Sequence, residues 1–346
     1  MINKLTFVFL FGLVSTFLQA ETSPLAVKPD FFDILEGKQY VSVTLVLNLD
    51  SLLNNRFSEE KIHGTLRYKQ TDGKELKLSV NVSLRGKFRR RMCGFPPIKL
   101  NFNKTELNEN QLSKADEYKL VTHCLEGEEG EFNIIKEFLA YQFYQQLTPI
   151  SYRSKWLKIT YQDTKSDTKI VGHAILLEDK STFEKRMNLK ELKDSFSIPR
   201  HNFENTNFRT HGLFQYMIGN LDWSTAIAKN LDIYQDRSSK IMFLVPYDFD
   251  FSGFVNVAYA VPNKDYNQKK VRDRLLLEAE ENDLLYKDEI KKFIELKPVF
   301  INIIRKQKGL NMEIKEDLEN YLISFYENLN AGFRSEEHTS ELQSQR

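Results

Sequence analysis

The chain has 346 residues, 41% of them hydrophobic and 28% charged, and its 49 Lys and Arg against 48 Asp and Glu leave a net charge of +1. A length of this order holds one large or two modest domains around a sizeable core. So even a charge balance argues against a general nucleic-acid or membrane-surface binder, which works through an excess of positive charge.

Met1–Ala20 has the pattern of a signal peptide: Lys4, an apolar run from Leu5 to Leu18, and Leu-Gln-Ala ahead of Glu21. The run is shorter than the ~20 apolar residues that cross a bilayer, and no Cys follows it to carry a lipid anchor. The expected product is a soluble exported protein, periplasmic or extracellular in a bacterial host, with no transmembrane segment in the mature chain. Tyr40–Leu49, Gly64–Lys69 and Leu76–Leu84 alternate at period two, the last two joined by Thr71–Gly73, and predict a small antiparallel sheet. Behind Pro96 and Pro97 a further strand is expected at Ile98–Phe102, because the prolines bar a helix start and permit an extended entry. Glu131–Leu147 places Ile134, Ile135, Phe138, Leu139, Tyr141 and Phe143 at helical spacing before Pro149 ends it. Strands recur at Trp156–Tyr161 and Ile170–Leu177. From Leu189 onward the pattern is mainly helical, broken by the Asn-rich stretch His201–Asn207 and by strands around Val245. Arg334–Arg346 (RSEEHTSELQSQR) has no hydrophobic period and looks like the in-frame translation of a sequencing adapter, so it is set apart from the fold. The two cysteines, Cys93 and Cys124, are a candidate disulfide in an exported chain; two buried thiols are the alternative.

Chemistry concentrates in two segments, IGNLDWSTAIAKN at Ile218–Asn230 and VPYDFDFSG at Val245–Gly253. Asp222 follows Gly219-Asn220, and eight residues later Asn230 opens an apolar run. A loop of that length can bring a carboxylate and a neutral oxygen donor to one cleft. Asp248 and Asp250 leave a strand end at alternating positions, which puts both carboxylates on one face and suits a divalent cation with oxygen ligands. Taken singly, Asp222 would cap a helix, Asn230 would fill a turn, and the Asp pair would make Asx-turns. Lys99 alternates against Ile98, Leu100 and Phe102, so its ammonium would face a cleft and meet Glu137 of the following helix, with Glu131 a weaker partner and a solvated Lys and Glu the plain alternative. The run Arg85, Lys87, Arg89, Arg90, Arg91 would clamp phosphates, form a solvated hairpin face or bind an acidic partner; Arg85 is the one carried forward. His123, His173 and His211 stand apart without zinc spacing, and no Ser-His-Asp arrangement with a nucleophile elbow is visible.

Three stretches in this order, SLRGKFRRRMCGFPPIKLNF at Ser83–Phe102, IGNLDWSTAIAKNLDIY at Ile218–Tyr234 and VPYDFDFSG, resemble the CotH-like kinases, atypical members of the protein-kinase-like fold. The likeness runs from about Ser83 to Pro262 and lacks a GxGxxG loop. It implies an α+β, two-lobed architecture with a sheet-rich N-terminal part and a helical C-terminal part. The implied division is residues 1–20 signal peptide, 21–82 accessory β-sheet region, 83–333 kinase-like domain and 334–346 non-native tail. The implied activity is phosphoryl transfer from ATP with Mg²⁺ or Mn²⁺ to a Ser or Thr hydroxyl of a protein. Asp222 would be the catalytic base, Asn230, Asp248 and Asp250 the metal ligands, and Lys99, Glu137 and Arg85 the nucleotide-binding residues. Asp248 is favoured over Asp250 as the principal ligand. A catalytically inactive binding or assembly module and a nucleotidyl transferase using the same residues are the alternatives.

Overall fold

Period-two alternation in the first half of the chain closes into a barrel in the computed structural model, which describes residues 28–37, 40–193, 195–280 and 282–330. The expected signal peptide and the expected adapter-derived tail lie outside those residues. The staves are β1 (Val41–Leu47), β2 (Ile62–Lys69), β3 (Glu75–Leu84), β4 (Ile98–Phe102), β5 (Glu117–Thr122), β6 (Ser154–Asp163) and β7 (Lys169–Leu177). They run in the order β1-β2-β3-β4-β5-β7-β6, and parallel pairing of β1 with β6, Val41 opposite Leu157, closes the ring. Closure leaves no edge to solvent. Its interior is filled by one face of every strand, including Leu45, Leu78, Val82, Leu100, Tyr118, Ile159 and Leu176. The sheet expected as an accessory unit therefore shares this core, and a boundary at 82/83 falls inside β3.

The helical layer lies against the outside of β6 and β7. Helix α5 (Gly127–Leu147) begins four residues before the expected start at Glu131. It is buried on most sides because it sits between the barrel residues Trp156, Ile175 and Leu177 and the later helices. Those are α7 (Asn205–Ile218), α8 (Lys287–Lys306) and α9 (Met312–Asn330), numbered after the short helices α1 (Phe31–Ile34), α2 (Leu49–Asn54), α3 (Arg89–Met92), α4 (Lys104–Glu109) and α6 (Lys180–Met187). A three-stranded sheet of β8 (Leu189–Glu191), β9 (Leu231–Asp236) and β10 (Met242–Pro246), in the order β10-β9-β8, completes the fold. Leu189 thus starts a strand where a helical stretch was expected, and the described residues of 247–286 hold only short 3-10 helices. Cys93 and Cys124 are joined by a disulfide, which fits an exported protein. Among the described residues no helix is long and apolar enough to cross a membrane.

His211, on α7, is fully buried against the Trp223 ring at 4.6 Å between centroids, and neither ring nitrogen has a hydrogen-bond partner among the described residues. Burial pushes it down to about 3. The unfolded chain takes up a proton at this residue near the ordinary value, which the folded chain refuses until well below it, so stability falls as pH drops through that window. Between pH 7 and pH 5 the His211 contribution is a loss of about 2 kcal/mol. Urea unfolding of His211→Gln at both pH values is expected to show a pH dependence smaller by that amount.

Candidate functional site

The two chemistry-bearing segments are bonded to each other at both ends. The Tyr247 amide donates to the Asn230 carbonyl at 3.0 Å where the second segment leaves β10, and the Gly253 amide donates to the Gly219 carbonyl at 2.9 Å where it finishes. Gly219 ends α7 in the left-handed region at φ +62°, and a Cβ on Gly253 would stand 2.5 Å from the Tyr321 hydroxyl and 2.8 Å from the Arg272 Cα. Glycine at both places lets the turn close against residues of the helical layer.

Inside that frame Asp222 and Asn230 meet. The Asn230 amide nitrogen donates to the Asp222 carboxylate at 2.8 Å and to its backbone carbonyl at 2.7 Å, with Asn230 itself at φ +53°. Asn tolerates that backbone better than most residues. The Lys229 ammonium pairs with the same carboxylate, and the Asp222 amide donates to Asn220 Oδ1 at 3.0 Å. The carboxylate is thus held by two partners, Asn230 and Lys229, and its backbone by Asn220 and Asn230, while 27% of its side chain stays exposed.

The Asp248–Asp250 turn is held from α5. Tyr141 Oη accepts the Asp248 amide at 2.9 Å, and Glu137 Oε1 accepts the Phe249 amide at 3.3 Å. Asp248 sits at φ +66°. Both carboxylates and that of Glu137 converge on one guanidinium, that of Arg89 on α3. Arg89 Nη2 lies 2.7 Å from Asp248 Oδ1, 2.7 Å from Asp250 Oδ1 and 3.4 Å from Glu137 Oε2, while Nε donates to Asp250 Oδ2 at 2.9 Å. The Tyr259 hydroxyl also donates to Asp250 at 2.8 Å. Burial pushes the Glu137 and Asp250 carboxyls up, against the pull of Arg89, and the Asp248 charge adds to it at both, with Asp250 adding at Glu137.

The expected Lys99–Glu137 pair is not formed. Lys99 Nζ lies 3.1 Å from Glu117 on the outer face of the barrel, and Glu137 is taken by Arg89. The strand alternation of Lys99 was sound, but one strand offers no information on which neighbour lies beyond its polar face. The lysine at the junction of barrel and small sheet is Lys119, cross-strand from Lys99 on β5, a strand that the sequence pattern left unread. Its ammonium stands 3.6 Å from Asp232 and 3.9 Å above the Tyr247 ring. Burial pushes it down to about 8, with Lys180 and Arg85 acting in the same sense and Asp232 opposing. Against its own burial, Asp232 is held below the usual carboxylate range by Lys119 and Lys180; the Tyr152 hydroxyl donates to it at 2.5 Å. A hollow lined by Lys180, Lys190, Glu191, Lys193 and Arg237 shares Lys180 and Glu191 with this network. The Arg85 charge favours the ionised forms of Tyr141 and Tyr247 and disfavours that of Lys119.

Oxygen donors of the kind a hard divalent cation takes are therefore present at Glu137, Asp248, Asp250 and Asn230. As arranged they do not fit one: a guanidinium occupies the middle of the three carboxylates. Among the described residues no group of three or more His, Cys, Asp or Glu stands in an arrangement that would hold a metal. Arg89 was legible only as one of five cations in a basic run.

No protein-family model matches the chain, and no curated protein matches it. Among solved structures, a Helicobacter pylori proinflammatory kinase, CtkA, is similar over 67% of this chain and 88% of its own, at 10% identity and a TM-score of 0.35.

Removing Arg89 leaves three carboxylates uncompensated in a buried place. Arg89→Met is expected to cost about 3–5 kcal/mol at pH 8 in a denaturant titration. In the variant the carboxyls bind protons more readily folded than unfolded, so stability recovers as pH falls; the deficit is expected to shrink at pH 5.

Proposed function

We propose that this chain is a kinase-like phosphotransferase that moves a phosphoryl group from ATP to a hydroxyl, with Asp222 as the base. One observation carries the reading: the Asp222–Asn230 loop and the Asp248–Asp250 turn are stitched together at Asn230–Tyr247 and Gly219–Gly253 around a short hairpin. Phosphoryl transfer asks the protein for positioning and charge more than for covalent chemistry, and a fixed, half-exposed carboxylate beside a bonded acidic turn supplies the first requirement.

The Asp222 carboxylate would accept the proton of the acceptor hydroxyl as its oxygen attacks the γ-phosphorus and the bond to ADP breaks. Asn230 and the Asp222 amide contact hold that carboxylate in place, and Lys229 stands where charge moving to the phosphoryl oxygens would be met. Lys119 and Arg85, not Lys99, are the cations proposed to face the nucleotide phosphates, since both bear on the junction beside Tyr247. A protein Ser or Thr as acceptor, and Mg²⁺ or Mn²⁺ as the companion of ATP, belong to the same proposal by resemblance alone. With Arg89 in its place no step is assigned to the metal.

Arg89 also favours a second reading, a catalytically inactive kinase-like binding or assembly module, because an ion pair fills the turn that an active kinase keeps open. Calorimetric ATP titration with Mn²⁺ separates the two. Wild type is expected to bind ATP, Lys119→Met to bind it about tenfold more weakly, and Asp222→Asn to bind it unchanged while transfer from labelled ATP drops about 10²–10⁴-fold. A folded wild-type protein that binds no nucleotide sinks the transferase.

A further inference from the structure

We infer that α3 is a latch: Arg89 serves the Glu137–Asp248–Asp250 cluster as a built-in cation and keeps divalent ions out of it while α3 is docked. The cluster brings up to three negative charges against one positive charge, so a doubly charged ion matches it better than a guanidinium does. What favours Arg89 is that it is tethered and already desolvated; its side chain is only 6% exposed. The opposite side of the cluster is not sealed, since 29% of the Asp248 side chain remains exposed.

The carrier of Arg89 is built to move as a short piece. It begins at Gly86, in the left-handed region at φ +77°, where only glycine is comfortable, and it makes a single turn closed by Arg90 N–H to Gly86 and Cys93 N–H to Arg89, both at 3.0 Å. It ends at Cys93, which the disulfide fastens to Cys124 and whose carbonyl accepts from Arg56. Between these two points Lys87, Phe88, Arg91 and Met92 are exposed, so the polar ties that lifting breaks are those of the buried Arg89 and the contact of the Arg90 guanidinium with the Leu84 carbonyl of β3. Apart from Arg89 itself, the ring contacts that hold the turn down are those of Phe88 with Phe251 at 5.4 Å and with Tyr259 at 6.2 Å. Phe251 follows Asp250 directly, and the Tyr259 hydroxyl bonds Asp250, so the apolar contact and the ion pair act on the same turn. The disulfide fixes one end of the piece and confines lifting to residues 86–92.

The experiment is Mn²⁺ titration without nucleotide, followed by electron paramagnetic resonance of the free ion, on the folded full chain. Wild type is expected to show no site that depends on Asp248. Arg89→Gln is expected to gain one, at least about tenfold tighter than any wild-type binding, and Arg89→Gln with Asp248→Asn to lose it. Wild type binding Mn²⁺ as tightly as Arg89→Gln, or a folded Arg89→Gln that gains no site, overturns the latch. Should Arg89→Gln not fold, Phe88→Ala loosens the turn at an exposed position without touching the carboxylates; an Mn²⁺ site in that variant supports the latch, and unchanged titration overturns it. Asp222→Asn is expected to titrate as wild type, so failure of the transferase reading and failure of the latch give different results.

Discussion

One buried guanidinium ties the two parts of this protein together. Arg89 comes from the barrel side, between β3 and β4, while its partners come from α5 and from the turn after β10. Burying a charge is tolerable only when it is paired and hydrogen-bonded, and Arg89 meets that condition by drawing three carboxylates to one point. The position of the acidic turn relative to the barrel follows from it. So does the electrostatic state of the site, in which burial raises the Glu137 and Asp250 carboxyls, neighbouring carboxylate charge adds to it and the guanidinium opposes both.

The surrounding scaffold is arranged so that this contact needs little adjustment. Helix α5 presents Glu137 and Tyr141 one turn apart, and both accept backbone amides of the acidic turn. Tyr321 of α9 closes on the two glycines that let the motif ends meet. The disulfide fastens the end of α3 to the chain just after β5, close to the start of α5. Local rigidity is thus supplied by backbone hydrogen bonds and one covalent link, and the side chains that would act on a substrate, Asp222 and Lys229, keep partial exposure.

A second polar network, Lys119–Asp232–Lys180 with Tyr152, lies at the junction of the barrel and the small sheet. It joins β5, β9 and α6, elements more than a hundred residues apart at the extremes. Its cost of desolvation falls mainly on Lys119, whose ammonium is the one pushed down toward neutrality. Lys119 stands between Asp232 and the Tyr247 ring at this junction, whereas Lys99 is paired with Glu117.

Local pattern alone determined a good part of this. Alternation read β1 and β3 nearly to their ends and the Pro96-Pro97 entry placed β4; helical spacing identified α5; and the Asp222…Asn230 interval and the Asp-x-Asp turn were readable because each is a short segment whose geometry is set by its own backbone. The Cys pair was readable because only two cysteines exist. Closure of the barrel, the start of a strand at Leu189, the existence of β5 and the identity of the partner for Glu137 were not readable. Each depends on which surfaces meet across dozens of residues, and a periodicity states that a face is apolar without stating what covers it. Arg89 shows the limit most clearly. Five cations in seven residues are equivalent in sequence, and only the tertiary structure, by burying one of them beside three carboxylates and leaving the others near solvent, decided which one matters.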